Sequence, residues 1–332
     1  MHLVDPGWQL SVTGAVALAG LSLVLAPARS RVARLVVGFS REFTVVLLCL
    51  ALWQRIGVYV HTHVAGARDH ARTLYHLERA MGLPSELTLQ HFSMRWPDLI
   101  KSLNTYYGFV HLNSMTIFLV WLWWRHRARY PKVRYTVIFS TLACFLIQIV
   151  PVAPPRMMTD LGFVDAALRY GQSVYGPMDQ AGANQLAAMP SVHMDWAIIV
   201  GWYVWRLGPR GWRWIGPLHL VLTTWAVVGT ANHWWGDGIV ALGLVVLAGP
   251  FGLAFGHVVS RIGRAFRAWG ADHLPRWVWP YLGIDRADAG AREEPVGVGP
   301  EGDPDQIDSA RRGEQVGLRP DELVGGTRDP LG

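Results

Sequence analysis

Three short polar clusters interrupt the long apolar blocks of this sequence, and they hold the side chains that could do chemistry. They are residues 151–156 (PVAPPR), 190–193 (PSVH) and 229–237 (GTANHWWGD). In the third cluster, His233 and Asp237 stand four residues apart, so on a helix they would share one face. The carboxylate could then fix the imidazole tautomer and raise its basicity. The alternative is a buried pair that only ties two helices together.

These residue types suit the transfer of a phosphoryl group. That reaction needs a nucleophile, a proton donor for the leaving oxygen, and positive groups near the phosphate oxygens. The planar guanidinium of Arg156 suits phosphate, unless this arginine only reaches out to the membrane interface. A helix that starts at Pro190 would leave the amides of residues 191–193 free to bind an anion. Ser191 could instead simply cap that helix.

The composition indicates a membrane protein. Of the 332 residues, 51% are hydrophobic and only 16% are charged, against about 25% charged in an average soluble domain. Seven apolar blocks reach, or nearly reach, the length that crosses a bilayer. They are 9–26, 43–60, 106–124, 135–152, 193–207, 214–231 and 238–257. The sequence therefore predicts an all-α polytopic membrane helical bundle of about seven transmembrane helices.

Basic residues follow every second block, and this pattern predicts the orientation of the bundle. By the positive-inside rule these segments are cytoplasmic, which leaves all three polar clusters outside the plasma membrane and the C-terminus inside. Asp5 and the lack of basic residues before the first block favour an uncleaved span over a signal peptide. The basic residues are Arg29, Arg31, Arg34 and Arg41; Arg125, Arg127, Arg129, Lys132 and Arg134; Arg206, Arg210 and Arg213; and Arg261, Arg264 and Arg267.

The chain divides into five predicted regions. Residues 1–60 hold two membrane helices, 61–105 a pair of amphipathic helices on the outer surface, and 106–260 the catalytic membrane core. In the surface pair, Leu74, Leu77 and Met81 recur at helical spacing, on the face opposite Arg72, Glu78 and Arg79. A basic juxtamembrane segment, 261–285, follows the core. Residues 286–332 are rich in Gly, Pro and acidic side chains, which predicts a disordered cytoplasmic tail.

The charge distribution argues against nucleic acid as a partner. Twelve acidic and six arginine residues from Asp285 onward give the tail region a charge of −6, so the +6 of the whole chain hides +12 on residues 1–284. That excess belongs to the membrane body, where it fits anionic lipid.

Other polar residues near the predicted outer helix ends could contribute to the site. Arg55 and Asp195 could pair or line a headgroup pocket, although snorkelling explains them equally well. His111, one to two turns inside the third block, and Asn232, next to His233, could line the same pocket.

Two further groups of histidines are not assigned to the site. His219 is 14 residues before His233, about 21 Å along a helix, so it should lie far from the chemistry. The histidines and carboxylates between His61 and Glu78 match no ordered metal-ligand spacing. No metal and no cofactor are predicted.

The order of the three clusters resembles the type 2 phosphatidic acid phosphatase (PAP2) superfamily, most closely its inositol phosphorylceramide synthase-like branch of inositolphosphotransferases. The resemblance covers about residues 74–247. It implies that His233 is the nucleophile and forms a phosphohistidine intermediate. His193 would protonate the leaving alcohol and later deprotonate the acceptor. Besides the clusters, it rests on Tyr106-Tyr107 with His111, on Leu218-His219 and on residues 77–90.

Several positions depart from the phosphatase pattern. The lysine that precedes the first-cluster arginine by seven residues is Ile149 here, and Met157 replaces the proline after that arginine. Val192 stands where a glycine usually precedes the second-cluster histidine, and the third cluster has no arginine before its histidine. These departures favour transfer over hydrolysis. The expected donor is a lipid phosphate or phospholipid, and the acceptor is a hydroxyl group or water.

Three other classes of function remain to be weighed. A proton-coupled transporter would carry ionisable groups at mid-membrane, whereas these clusters stand at helix ends. An inactive scaffold would not need His193, His233 and Asp237 together. An intramembrane serine protease is disfavoured because the sequence has no Gly-x-Ser-x-Gly elbow.

Overall fold

The computed structural model describes residues 6–28, 30–62, 65–172 and 185–284, and these ranges are helical throughout, apart from short turns and one isolated β-bridge. The all-α prediction is confirmed. Arg29, His63 and the predicted tail, 286–332, lie outside the described residues. The helices are α1 (Pro6–Leu25), α2 (Arg31–Thr62), α3 (Ala67–Ala80), α4 (Glu86–Met94), α5 (Pro97–Thr105), α6 (His111–Arg125), α7 (Tyr130–Ile147), α8 (Ala166–Arg169), α9 (Val192–Leu207), α10 (Ile215–Gly229), α11 (Trp235–His273) and α12 (Trp279–Leu282).

Three of the described helices are long and apolar enough to cross a membrane: Gly7–Leu25, Arg31–Tyr59 and Trp235–His273. Ile215–Gly229 is a shorter apolar helix. Each of the seven predicted blocks coincides with one helix, namely α1, α2, α6, α7, α9, α10 and α11.

Two of these helices are longer than the apolar blocks that predicted them. Helix α2 begins at Arg31, and the 39 residues of α11 run on to His273. Arginines that were expected in loops are therefore helical, since arginine is a good helix former and nothing in these stretches breaks the helix. At 1.5 Å per residue, α11 is about 58 Å long, roughly twice the thickness of a bilayer core.

The surface region contains three helices rather than the predicted pair. Ser85 caps α4 by accepting a hydrogen bond from the Thr88 amide, and Pro97 at the first position starts α5. The orientation of α3 also differs from the prediction. Leu77 and Met81 are 54% and 53% exposed, whereas Glu78, assigned to the polar face, is fully buried. Glu78 turns inward because a backbone amide of α11 needs an acceptor there.

Helix α3 is bound to the loop after α7 and to the start of α11. The Ala67 carbonyl accepts a hydrogen bond from the Ala153 amide over 3.0 Å. Trp234, 1% exposed, packs among apolar side chains that include Leu74 and Phe163. Its indole Nε1 donates to the Ala153 carbonyl over 2.9 Å. This apolar cluster fixes the first and third polar clusters relative to each other.

Helices α9 and α10 touch through their backbones. A Cβ atom added to Gly216 of α10 would lie 2.5 Å from the carbonyl oxygen of Gly201 on α9, so only glycine permits this approach. Helix α9 carries the second polar cluster at its start, and α10 leads directly into the third. Nearer the clusters, Met194 of α9 shares an apolar cluster with Val227 and Val228 of α10, so the two helices are held together at both levels.

Candidate active site

A tight turn between α10 and α11 presents His233. The amides of Asn232 and His233 both donate to the Val227 carbonyl, over 3.0 and 3.1 Å, and Ala231 takes a positive φ of 57°. The sequence predicted that His233 and Asp237 would share one helix face. In the structure, His233 instead lies in the turn before the helix, which begins at Trp235. The two side chains still meet, with His233 Nδ1 3.1 Å from Asp237 Oδ2.

The hydrogen bonds of His233 define its tautomer. Nδ1 lies 2.8 Å from the Ala188 carbonyl oxygen as well as 3.1 Å from Asp237 Oδ2. Both neighbours can only accept in this state, so Nδ1 carries the proton. In the neutral His233 ring, Nε2 therefore carries no proton, and its lone pair is available to bond to another atom. Asp237 is itself held in place, because its Oδ2 also accepts from the Trp234 amide over 2.8 Å.

A stack of rings brings His193 opposite His233. The two imidazole centroids are 5.6 Å apart. His193, in the first turn of α9, stacks on Tyr107 with ring centroids 4.3 Å apart, and the His111 ring also lies 4.3 Å from the His193 ring. Trp196 stacks on His111 in turn, at 5.1 Å. Tyr107 belongs to a π turn between α5 and α6 (Tyr106–Val110), and such turns recur at functional sites.

Arg156 is buried at the same helix ends. Its side chain is only 5% exposed, its Nε donates to Asn232 Oδ1 over 3.0 Å, and its Nη1 donates to Asp165 Oδ2 over 3.0 Å. Its amide also donates to the Ala231 carbonyl. A guanidinium held in this way is not an arginine that reaches out to the membrane interface. The structure thus brings Arg156, His193, His233 and Asp237 to one end of the bundle.

The sequence profile of the PAP2 superfamily matches residues 72–251, more than half of the chain. This chain belongs to the PAP2 superfamily. The matched region runs from α3 into α11 and contains all three polar clusters, while α1 and α2 lie before it. No curated protein and no solved structure matched the chain significantly. Family membership and the apolar helices identify an integral membrane enzyme, a phosphatase or phosphotransferase that acts on lipid phosphates.

In this PAP2 protein, Ser191 has the structural role that the sequence left open. Its hydroxyl caps α9 by accepting from the Met194 amide over 3.2 Å, and its own amide donates to the Asp237 carbonyl over 3.3 Å. The residue is fully buried. Its amide was expected to be free for an anion, and that expectation is wrong because the amide ties α9 to α11.

Two predicted pocket residues of this PAP2 protein do not meet. Arg55 is exposed and lies over the Trp8 ring, 5.0 Å from its centroid. Asp195 is fully buried, and its Oδ2 accepts from the Ser140 hydroxyl over 2.9 Å. Within the described ranges, no ion pair joins Arg55 to Asp195. Their pairing is therefore not part of the site.

The two ring nitrogens of His219 contact hydroxyl groups, not His193 or His233. Its Nδ1 lies 2.6 Å from the Tyr106 hydroxyl and its Nε2 3.3 Å from the Ser114 hydroxyl. Across the part of the chain that is described, no three His, Cys, Asp or Glu side chains are grouped as metal ligands would be.

The sequence did not predict two carboxylates that support the PAP2 site, Asp165 and Glu78. Asp165, which holds Arg156, also caps α8 by accepting from the Leu168 amide. An aspartate before a short helix was a visible cap signal, but nothing in the spacing linked it to Arg156. Glu78 was read as solvated, yet its carboxylate accepts the Gly236 amide over 2.6 Å, next to Asp237.

Proposed function

We propose that this PAP2 enzyme is a phosphotransferase of the inositol phosphorylceramide synthase-like kind, which moves a phospho-headgroup from a phospholipid to a hydroxyl acceptor. The observation that carries the proposal is the hydrogen bonding of His233. Two acceptors on Nδ1 leave the Nε2 lone pair as the nucleophile, and the second imidazole, His193, lies across from it.

The proposed reaction has two steps. First, His233 Nε2 attacks the phosphorus, the bond from phosphorus to the lipid alcohol oxygen breaks, and protonated His193 gives that oxygen its proton. The product is a phosphohistidine that carries the headgroup. Second, the acceptor hydroxyl attacks the phosphorus, His193 takes its proton, and the bond from His233 Nε2 to phosphorus breaks. Asp237 stabilises the positive charge on the His233 ring in both steps.

Arg156 is the proposed group for the phosphate oxygens. Charge builds up on these oxygens in the transition state, and a preorganised cation in a site with little water stabilises that charge. Asn232 and Asp165 hold the guanidinium in position before substrate arrives. Because these partners fix its planar fork, little reorganisation is needed when the phosphate binds.

The choice of transfer rather than hydrolysis rests on the sequence departures. Ile149 and Met157 stand where the phosphatase pattern has a lysine and a proline. The site therefore has fewer cations around the phosphate than that pattern implies. A phosphodiester headgroup carries one negative charge and a monoester nearly two, so fewer cations suit a phosphodiester donor such as phosphatidylinositol.

We further propose a seven-span topology with the active site on the extracytoplasmic side of the plasma membrane and the C-terminal tail in the cytoplasm. The support is the alternation of arginine-rich and arginine-poor connections. In this arrangement α1 and α2 precede the catalytic core of 106–260, and α3 to α5 lie on the outer surface.

The test of function compares purified wild type with His233→Ala. His257→Ala, an exposed histidine near the middle of α11, serves as the control. Each is incubated with phosphate-labelled phosphatidylinositol, phosphatidic acid and polyprenyl phosphate, with inositol and a lipid alcohol as acceptors. We expect a labelled product that joins the headgroup phosphate to one of the added acceptors from wild type and His257→Ala, and none from His233→Ala. Free phosphate from the monoester donors, or inositol phosphate from phosphatidylinositol, without any transfer product would replace the proposal with hydrolysis. Equal signals from wild type and His233→Ala would overturn the role of His233.

The test of topology uses single cysteines in a background without Cys49 and Cys144. Asp160→Cys stands near the polar clusters, and Arg210→Cys stands between α9 and α10. A membrane-impermeant maleimide added to intact cells should label the first and not the second. Labelling of Arg210→Cys alone would invert the proposed orientation.

A further inference from the structure

Two glutamates that the proposed chemistry does not use are buried behind the active site. Glu78 on α3 and Glu86 on α4 are both fully buried. Carboxyl groups are almost never buried completely unless they are paired. Glu86 has a cationic partner, since Arg79 Nη2 lies 3.0 Å from its Oε2. No cation among the described residues pairs with Glu78, so the burial of its carboxyl group requires another explanation.

Glu78 contacts the first turn of the helix that carries Asp237. Its Oε1 accepts the Gly236 amide over 2.6 Å. One residue earlier, the Trp235 indole donates to the Pro84 carbonyl, in the turn between α3 and α4, over 2.8 Å. The hairpin of α3 and α4 therefore holds two successive residues of α11, and the next residue is Asp237.

The two carboxyl groups also face each other. Glu78 Oε2 and Glu86 Oε1 have no N–H or O–H donor among the described residues, although the groups are within hydrogen-bonding reach of one another. A proton held by one carboxyl would supply the missing donor for the other. Burial first, and then the hydrogen bond with Glu86, raises the pKa of Glu78 to about 9. The charged groups that face Glu78 are Glu86 on α4 and Asp237 on α11, while Arg79 on its own helix is bonded to Glu86.

We propose that Glu78 and Glu86 share one proton and, as a hydrogen-bonded acid pair, position Asp237 against His233. Glu78 is thus a positioning residue that acts through the Gly236 amide. When the shared proton is lost, two carboxylates face each other beside Asp237. Their repulsion moves Glu78 from the Gly236 amide, and the start of α11 loses its anchor. The inference rests on the proposed roles of His233 and Asp237.

The experiment measures kcat and KM against pH for wild type, Glu78→Gln, Glu78→Ala and Asp69→Asn, with labelled phosphatidylinositol and phosphatidic acid as donors. Glutamine keeps an oxygen for the Gly236 amide and an N–H for Glu86, so it imitates the protonated acid. Asp69 lies on the same helix, is 79% exposed in its side chain, and serves as the control for loss of a carboxylate. Thermal unfolding and gel filtration report whether each variant folds.

We expect Glu78→Gln to keep kcat within about twofold at pH 8 and to lose the alkaline fall of wild type. Between pH 8 and 10 the wild type should lose about tenfold more of its kcat than Glu78→Gln does, as a group titrating near pH 9 implies. Glu78→Ala should lower kcat by about tenfold or more with little change in KM, because a small misplacement of catalytic groups is costly. Asp69→Asn should follow wild type.

An unchanged alkaline fall in Glu78→Gln would overturn the inference, and so would wild-type kcat in a folded Glu78→Ala. If Glu78→Ala does not fold, the pH profile of Glu78→Gln decides alone. His233→Ala in the same assay separates the two proposals. Full activity of His233→Ala would refute the proposed function. An inactive His233→Ala beside a Glu78→Gln that behaves as wild type would refute only the acid pair.

Discussion

The guanidinium of Arg156 and the carboxylate of Asp165 form an ion pair, with Nη1 3.0 Å from Oδ2. Arg156 is buried, whereas a quarter of the Asp165 side chain, 26%, is exposed. A buried arginine without a partner would be strongly destabilising. Asp165 therefore provides the counter-charge of the phosphate-binding candidate and orients it, and the cap of α8 holds Asp165 in turn.

A lysine at position 156 should not replace this arginine. Lysine keeps the charge but cannot bond to both Asn232 and Asp165 as a rigid fork does. We expect Arg156→Lys to lower kcat/KM for a phospholipid donor by about 100-fold, the scale of losing one preorganised donor. The control is Arg72→Lys, because Arg72 forms exposed ion pairs with Asp69 and Asp160. Its kcat/KM should stay within about twofold of the wild-type value. Near-normal activity of Arg156→Lys would mean that a point charge suffices.

Loss of the charge at position 237 should separate catalysis from folding. In Asp237→Asn, the amide oxygen can still accept the Trp234 amide, so α11 keeps its cap. The side chain can no longer stabilise a positively charged His233 ring. We expect kcat to fall by about 1,000-fold or more, by analogy with the carboxylates that orient catalytic histidines. Steady-state kinetics and the melting temperature are measured together, and a large loss of stability would instead favour the purely structural pair.

Removal of His193 should trap the covalent intermediate. A donor with a good leaving group, such as an aryl phosphate ester, needs no proton in the first step, whereas attack by the acceptor hydroxyl still needs a base. We expect His193→Ala to accumulate label on the protein at His233 when given such a donor. The linkage should be labile in acid and stable in alkali, as phosphohistidine is. No label on His193→Ala, with turnover intact, would assign the base to another group.

Two glycines of α11 provide a matched pair of substitutions. A Cβ at Gly236 would lie 2.8 Å from Leu74 Cδ1 and 3.1 Å from Glu78 Oε1, whereas one at Gly243 meets nothing within 4 Å. We expect Gly236→Ala to destabilise the protein by about 1–3 kcal/mol through overpacking and to lower kcat. Gly243→Ala should leave kcat unchanged and be neutral or slightly stabilising, since alanine favours helix. Thermal unfolding in detergent measures both, and equal behaviour would contradict the close contact.

The stability of the protein should fall as the pH rises towards 9. Burial raises the pKa of Glu78 to about 9 in the folded state, so the native protein binds a proton there that the unfolded chain releases above about pH 4.5. The stabilisation from this proton is complete below about pH 4.5 and is lost as the pH rises through about 9. Glu78→Gln should flatten that part of the stability profile. Chemical denaturation between pH 5 and 9 tests this, and parallel profiles would contradict it.

Much of the site could be predicted because its residues stand at the ends of apolar blocks. The blocks fixed where His193, Arg156 and His233 enter the bundle, and alternating helices bring such ends together without special bending. The tautomer of His233 could not be predicted, because its second acceptor is the carbonyl of Ala188, which no side-chain pattern records.

The surface helices were harder to read from the sequence. The spacing of Leu74, Leu77 and Met81 predicted one apolar face, but only Leu74 is buried. Periodicity assumes that a helix buries its apolar residues against protein. Helix α3 buries Glu78 instead, where its carboxylate accepts the Gly236 amide of α11, and Leu77 is left on the outside. Contacts between a side chain and a distant backbone group leave no periodic signal.

The backbone contact between Gly201 and Gly216 has a consequence for behaviour in different lipids. A bilayer that is thicker or thinner than a helix is accommodated mainly by tilting that helix. In the proposed seven-span topology α9 and α10 both cross the bilayer. Their main chains touch at Gly201 and Gly216, and nearer the site Met194 shares an apolar cluster with Val227 and Val228, so the two helices tilt as one body. The distance between His193 and the turn that bears His233 should therefore change little with membrane thickness. The reaction geometry should stay the same as the lipid composition of the membrane varies.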